Sequence, residues 1–296
     1  MRSVTIMEVN MIKNRNGKTV VTNPTQNKLL EYLYGSVWGR IILKALTAPV
    51  VSQAAGRFMD SPLSKPLIKR FIKSSRMDTS QYIMYDFSSY NDFFTRRVRP
   101  EMRPVDFSPE HLISPCDSKL SVHKIGRNSV FRIKGSRYRV SDLVGDSALA
   151  ESYSGGLCLI FRLEVDDYHR YCYIDNGTKS GNIHIKGELH TVNPIALEKY
   201  NIYKRNSREY TILHTENFGD VVQVEVGAMM VGRIVNHDGE CTVRRGAEKG
   251  MFEFGGSTIV MLFRKDSIAV DSDILRNSAN GDETIVKYGE RIGVKA

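Results

Sequence analysis

Residues 251–263 read MFEFGGSTIVMLF, with two glycines followed by two hydroxyl side chains, Ser257 and Thr258. Both flanks are strand-forming: Phe252 and Phe254 alternate with polar positions, and Ile259–Phe263 is an unbroken apolar run. Glycine removes Cβ obstruction and opens backbone conformations closed to other residues. The Gly255–Gly256 pair therefore suits a plain turn, and it also suits a site where Ser257 attacks its own peptide bond. Activating a serine takes a base and a group that orients the base. Two further stretches contain such groups: SPCDSK places Asp117 after a proline turn, and DDYHRYCYIDNG places His169 near the end of a strand. Each also has a plainer use. Asp117 could cap a turn, His169 could be a satisfied, half-buried histidine, and Ser257 could simply start a strand.

The elements that would position these residues are legible in outline. From about residue 105 short apolar stretches recur, at 155–165, 182–192, 209–216, 220–235 and 251–263. Turn signals such as Asn176-Gly177 and Asp238-Gly239 punctuate them. Helical exceptions are predicted near 141–150 and 194–203. Residues 1–24 are polar and strand-like, with a turn at Asn14–Gly17. Over 27–47, Leu30, Leu33, Tyr34, Val37, Trp38, Ile41, Ile42 and Ala45 follow one face of a helix, and a second helical stretch, SPLSKPLIKRFIKSSR, covers 61–76. The expected fold class is α+β: N-terminal amphipathic helices over residues 1–104, then a mainly antiparallel β-rich core over 105–296.

Charge divides the chain at the same place. Residues 1–104 hold 17 Lys and Arg against 7 Asp and Glu, and the remainder holds 25 against 26. A basic, amphipathic, Trp-bearing segment suits an anionic membrane surface, and it suits equally helices that cover their own core. No nucleic-acid motif interleaves the basic residues, so nucleic acid is not an expected partner. The four cysteines are widely spaced without a CxxC pair, and no metal is expected. No secretory h-region or membrane-spanning run is present, which suggests a protein peripheral to the cytoplasmic side of the cell membrane.

Taken together, the stretches NDFFTRRVRPEMRPVD (91–106), LISPCDSKL (112–120), RLEVDDYHRY (162–171), HTVNPIAL (190–197), NSREYTIL (206–213), VEVGAMMVGRI (224–234) and GAEKGMFEFGGSTIVMLF (246–263) resemble the phosphatidylserine decarboxylase family. The resemblance covers about residues 90–296. It implies a self-cleaving proenzyme, a carboxy-lyase cut between Gly256 and Ser257 into chains 1–256 and 257–296. Ser257 would become a covalent pyruvoyl cofactor, to which phosphatidylserine forms a Schiff base before losing carbon dioxide to give phosphatidylethanolamine. The two cleavage fragments would remain together as a heterodimer, and a further dimer is compatible with this. By the same resemblance Asp117 and Ser257 match the aspartate and serine of the family's charge-relay set, with His169 as its histidine.

The chain departs from the family pattern at two places. A second histidine is usual three residues after the first, and Cys172 stands there; Ser118 replaces the glycine usual after the aspartate. Either Cys172 acts as a thiol acid/base, or His169 serves both steps, or maturation is slow or absent. Rival functions are the same chemistry on a soluble amino acid and an uncleaved, non-enzymatic lipid-binding homologue. Arg96, Arg97, Arg99 and Arg103 are candidates for lipid phosphate, or else a solvated basic loop.

Overall fold

The apolar run after Ser257 is a strand buried on both faces, as an unbroken hydrophobic sequence requires. The computed structural model describes residues 11–20, 49–75, 77–133, 136–187, 206–227, 233–254 and 257–296. The helices expected over 27–47 and 194–203, and the Gly255–Gly256 pair, lie outside these residues.

Among the described residues, the main sheet runs in the order β14 (Cys241–Val243), β9 (Gly177–Lys179), β11 (Arg208–Thr215), β12 (Gly219–Gly227), β16 (Ser257–Phe263), β7 (Leu157–Leu163), β4 (Ser118–Lys124), β18 (Glu283–Val286), β1 (Ile12–Lys13) and β2 (Thr19–Val20). β10 (Ile183–Ile185) joins it on β11. All its described pairings are antiparallel except that of β1 with β18. A second sheet is formed by β13 (Ile234–Asn236), β15 (Glu248–Phe252) and β8 (Arg170–Cys172), and a third by β17 (Ile268–Val270), β19 (Arg291–Lys295) and β3 (His111–Ile113). β5 (Val130–Ile133) and β6 (Ser136–Arg139) make a hairpin. The expected α+β fold with an antiparallel β-rich core is what the chain adopts.

Alternation along the central strands sends side chains to two cores. Val222, Val224 and Val226 of β12 and Val260 and Leu262 of β16 face a cluster completed by Val140, Leu143 and Val144 from α4 (Val140–Val144) and Ala150 from α5 (Ser147–Glu151). Ile259, Met261 and Phe263 face the opposite way, with Leu163, Phe161 and Leu120, toward Tyr171, Phe252 and Ile274 of α6 (Ser272–Ala279). Every residue of β16 is buried, and each large apolar side chain so placed contributes roughly 1.5–3 kcal/mol.

A third cluster belongs to the N-terminal part: α1 (Pro49–Asp60), α2 (Pro66–Ser75) and the short α3 (Tyr90–Phe94). Ile68 of α2 and Tyr90, Phe93 and Phe94 of α3 are buried there, with Leu67, Phe71, Ile72 and Phe254 packed against them. The apolar stripe of α2 thus turns inward onto aromatic rings. α3 starts where Ser89 accepts the Asp92 N–H at 3.1 Å, an N-cap that sets its register.

Candidate active site

Ser257 and Asp117 lie at the same end of two central strands, β16 and β4, which flank β7, and His169 stands in the link from β7 to β8 of the second sheet. β16 begins at Ser257, directly opposite Leu163, the last residue of β7. β4 begins at Ser118, one step beyond the Lys119–Arg162 pair with β7, and Asp117 immediately precedes it. The link leaving β7 ends in His169, directly before β8 rather than at the end of a strand. At about 4.8 Å per strand, Ser118 lies about 10 Å from Ser257 across β7, and directly opposed residues share a face.

His169 is wholly buried. Its Nδ1 lies 3.0 Å from the Asp167 carbonyl oxygen. A carbonyl only accepts, so Nδ1 carries the ring proton and Nε2 keeps a lone pair. Nε2 has no hydrogen-bond partner among the described residues. The ring packs against Phe94, and the His169 backbone carbonyl accepts the Phe252 N–H at 2.9 Å. Asp167 ties the loop: its carboxylate accepts Lys119 Nζ at 2.6 Å and the Glu164 N–H at 2.7 Å. Burial, and then the positive charge of Arg96, push the His169 pKa down to about 3. The imidazole is therefore neutral at physiological pH.

Arg96 is itself buried beneath α3, with its guanidinium 4.4 Å from the Tyr82 ring centroid. Among the described residues its Nη atoms meet carbonyl oxygens alone, those of Phe93, Phe94, Asp166 and Asp167, at 3.3–3.5 Å. Ser257 is buried, and its hydroxyl has no hydrogen-bond partner among the described residues; neither has that of Thr258 on the other face.

Among the described residues Asp117 makes no hydrogen bond with a histidine. Its buried carboxylate accepts Arg103 Nε at 2.9 and 3.1 Å and Nη2 at 2.6 Å, Lys287 Nζ at 3.2 Å and the Tyr288 N–H at 2.9 Å. Burial raises its pKa, but Arg103 and Lys287 outweigh burial and hold it below the usual carboxylate range. The histidine is thus oriented by the Asp167 carbonyl, and the aspartate by Arg103. Arg103 is thereby committed to a carboxylate, while Arg97 and Arg99 remain exposed.

Cys172 is buried with Sγ 3.9 Å from the Ser114 carbonyl oxygen. Burial pushes its pKa up to about 12, against a smaller opposing effect of Tyr288. A thiol so placed stays protonated near neutrality and is a poor base.

Sequence reasoning missed Asp167, Lys119 and Phe94, and of the four arginines it offered either to lipid phosphate or to a solvated basic loop, Arg96 and Arg103 are buried. The NDFF stretch carried a signal, since a serine cap ahead of two aromatic residues marks a short packed helix. The partner of Arg103 carried none, because the two residues meet only through the fold.

Residues 90–294 match the family model described as phosphatidylserine decarboxylase. The chain belongs to the phosphatidylserine decarboxylase family. It is 45% identical, over 90% of its length and 92% of the relative's, to the phosphatidylserine decarboxylase proenzyme 2 of Clostridium acetobutylicum. Identity to the phosphatidylserine decarboxylase proenzyme of Clostridium perfringens is 42%, over 96% of this chain and all of that one. That of Ruminiclostridium cellulolyticum is also 42% identical, over 90% and 91% of the two chains. The family match begins at Tyr90, the first residue of α3, so the helix against His169 and the arginine on Asp117 both lie inside it.

Proposed function

We propose that this protein decarboxylates phosphatidylserine to phosphatidylethanolamine with a pyruvoyl group made from its own Ser257, by cutting the Gly256–Ser257 bond. The buried, unpartnered Ser257 hydroxyl at the head of a central strand carries this reading. An unpartnered buried hydroxyl costs roughly 1–3 kcal/mol; Ser118, Thr211 and Thr258 share that state, and what sets Ser257 apart is its place as the first residue of β16, directly after two glycines. The names of the relatives, all proenzymes, agree with it.

In the self-cleavage, Ser257 Oγ adds to the Gly256 carbonyl carbon and the peptide C–N bond breaks, leaving an ester. His169 Nε2, neutral and unpaired, takes the α-proton of Ser257. The Gly256 carboxylate departs with the former serine oxygen, and water then replaces the nitrogen, which leaves as ammonia. In the decarboxylation the resulting ketone supplies an electron sink. His169 serves both steps, since Cys172 is held as a thiol. Phe94, 4.1 Å from the imidazole and itself packed edge to face on Phe254 at 5.3 Å, keeps water from it. Exposed Arg97 and Arg99 are the candidates for lipid phosphate.

Substrate delivery is proposed to occur on an anionic bilayer. Leu63 is 78% exposed and Phe58 44% exposed, beside exposed Lys69, Arg70 and Lys73 of α2. Each basic residue near such a surface contributes about 1 kcal/mol. No helix among the described residues is long and apolar enough to cross a membrane. The test is intact mass spectrometry of the wild type and Ser257→Ala, with carbon dioxide release from phosphatidylserine vesicles and from free serine. Two chains in the wild type only, active on vesicles, are expected. A single wild-type chain would favour the uncleaved lipid-binding reading, and turnover of free serine alone would overturn the lipid substrate.

A further inference from the structure

The segment that enters the Gly255–Gly256 pair is held by the N-terminal helical layer. The Phe254 N–H donates to Asn91 Oδ1 at 2.9 Å. Asn91 is only 7% exposed, and its Nδ2 donates to Asp60 Oδ1 at 2.8 Å. Asp60 accepts and the Phe254 N–H donates, so the amide has one satisfactory orientation. The Phe254 ring is held by the same helix, edge to face on Tyr90 at 5.1 Å and on Phe94 at 5.3 Å. Those two side chains are four residues apart and so share one helix face. On the far side of the glycines, Ser257 is paired with both Gly227 and Leu163 in the middle of the main sheet.

The chain thus passes from a residue fixed by α3 to a residue fixed by two strands, with two glycines between. Glycine has no side chain with which to hold itself in one conformation. Keeping the Ser257 hydroxyl on the Gly256 carbonyl then depends on both ends being stationary, and a small misalignment of reacting atoms is expensive. The sheet fixes one end. We infer that Asn91, oriented by Asp60, is a positioning residue for self-cleavage, holding the upstream end through the Phe254 N–H. This rests on the reading that the Gly256–Ser257 bond is cut. It assigns α3 a part in maturation that ends with the cut, because afterwards Phe254 and Ser257 are no longer joined.

The experiment follows full-length chain made by cell-free synthesis, with the cut fraction measured over time for the wild type, Asn91→Ala and Asp60→Ala. Turnover on phosphatidylserine vesicles is then measured per cut chain. Asn91→Ala is expected to cut about tenfold more slowly, the effect of losing one aligned hydrogen bond. Asp60→Ala keeps the acceptor but frees its orientation and should slow cutting about threefold. Turnover per cut chain should equal that of the wild type for both. Wild-type cutting rates in both variants would overturn the inference, as would an equal loss in cutting and in turnover per cut chain, which marks a general structural role. An uncut wild type would instead overturn the underlying reading, and the inference with it.

Discussion

The ring of Phe94 lies 4.1 Å from that of His169, centroid to centroid, at an interplanar angle of 42°. A residue of the N-terminal helical layer therefore forms one wall around the imidazole of the candidate site. Phe94→Leu should cost on the order of 1 kcal/mol in stability while letting water nearer the imidazole. The His169 pKa should then rise from about 3 toward its ordinary 6.5. An NMR titration of labelled histidine on the Ser257→Ala background checks this; an unmoved pKa would contradict it.

The depressed His169 pKa fixes a sign for the acid limb of stability. Between 6.5 and about 3 the unfolded chain binds a proton at this histidine and the folded chain does not. Folding stability from this group is therefore full above 6.5 and falls with decreasing pH, by about 1.4 kcal/mol per pH unit. Replacing His169 with Gln should flatten that part of the urea-denaturation profile between pH 6.5 and 4. Asp117, whose pKa is lowered, acts further down, withdrawing its stabilisation only as it protonates in stronger acid.

Arg103 and Asp117 form a buried, forked ion pair with side chains 7% and 1% exposed. Arg103→Met leaves the carboxylate with Lys287 and one backbone N–H, and should destabilise the single-chain Ser257→Ala protein by about 3–5 kcal/mol. Arg103→Lys keeps the charge but not the fork and should lose less. Equilibrium denaturation ranks the three.

A second buried pair lies away from the candidate chemistry. A bulge in β15 between Glu248 and Gly250 shifts its register against β8, and the buried Lys249 there meets Glu225 at 2.8 Å and Asn236 at 2.7 Å. Lys249→Met should cost about 3–5 kcal/mol by stranding Glu225, and Lys249→Met with Glu225→Leu much less. Denaturation midpoints of the two variants decide whether charge burial or packing dominates there.

Leu63→Glu should weaken flotation with anionic vesicles several-fold, because it removes an exposed apolar contact and adds a repelled charge. Its melting temperature should hardly change, since Leu63 is largely outside the core. Unchanged flotation would move the lipid contact elsewhere.

The strands were readable because their signals are local. Ile259–Phe263 is uninterrupted, so it had to be buried on both sides, and Asn14–Gly17 is a turn whatever surrounds it. Helix 66–75 and the pair at 140–151 likewise follow from their own residues. Ser257, His169 and Asp117 could be named from motifs, and Ser257 and Asp117 lie at the same end of the strands on either side of β7. Their partners could not be named. Arg103 and Asp117 are separated by a turn and a strand, and Asn91 meets Phe254 across 163 residues. Such contacts are decided by how elements stack, which no window of sequence contains.

Residues 257–296 supply β16 between β12 and β7, β18 between β4 and β1, β19 beside β3, and β17 beside β19. They are interleaved through two sheets instead of resting on a surface. A cut after residue 256 would therefore yield two polypeptides that no dilution can part without unfolding both. Each small chain would stay for life with the large chain it was translated with, and a damaged copy could not be exchanged for a sound one.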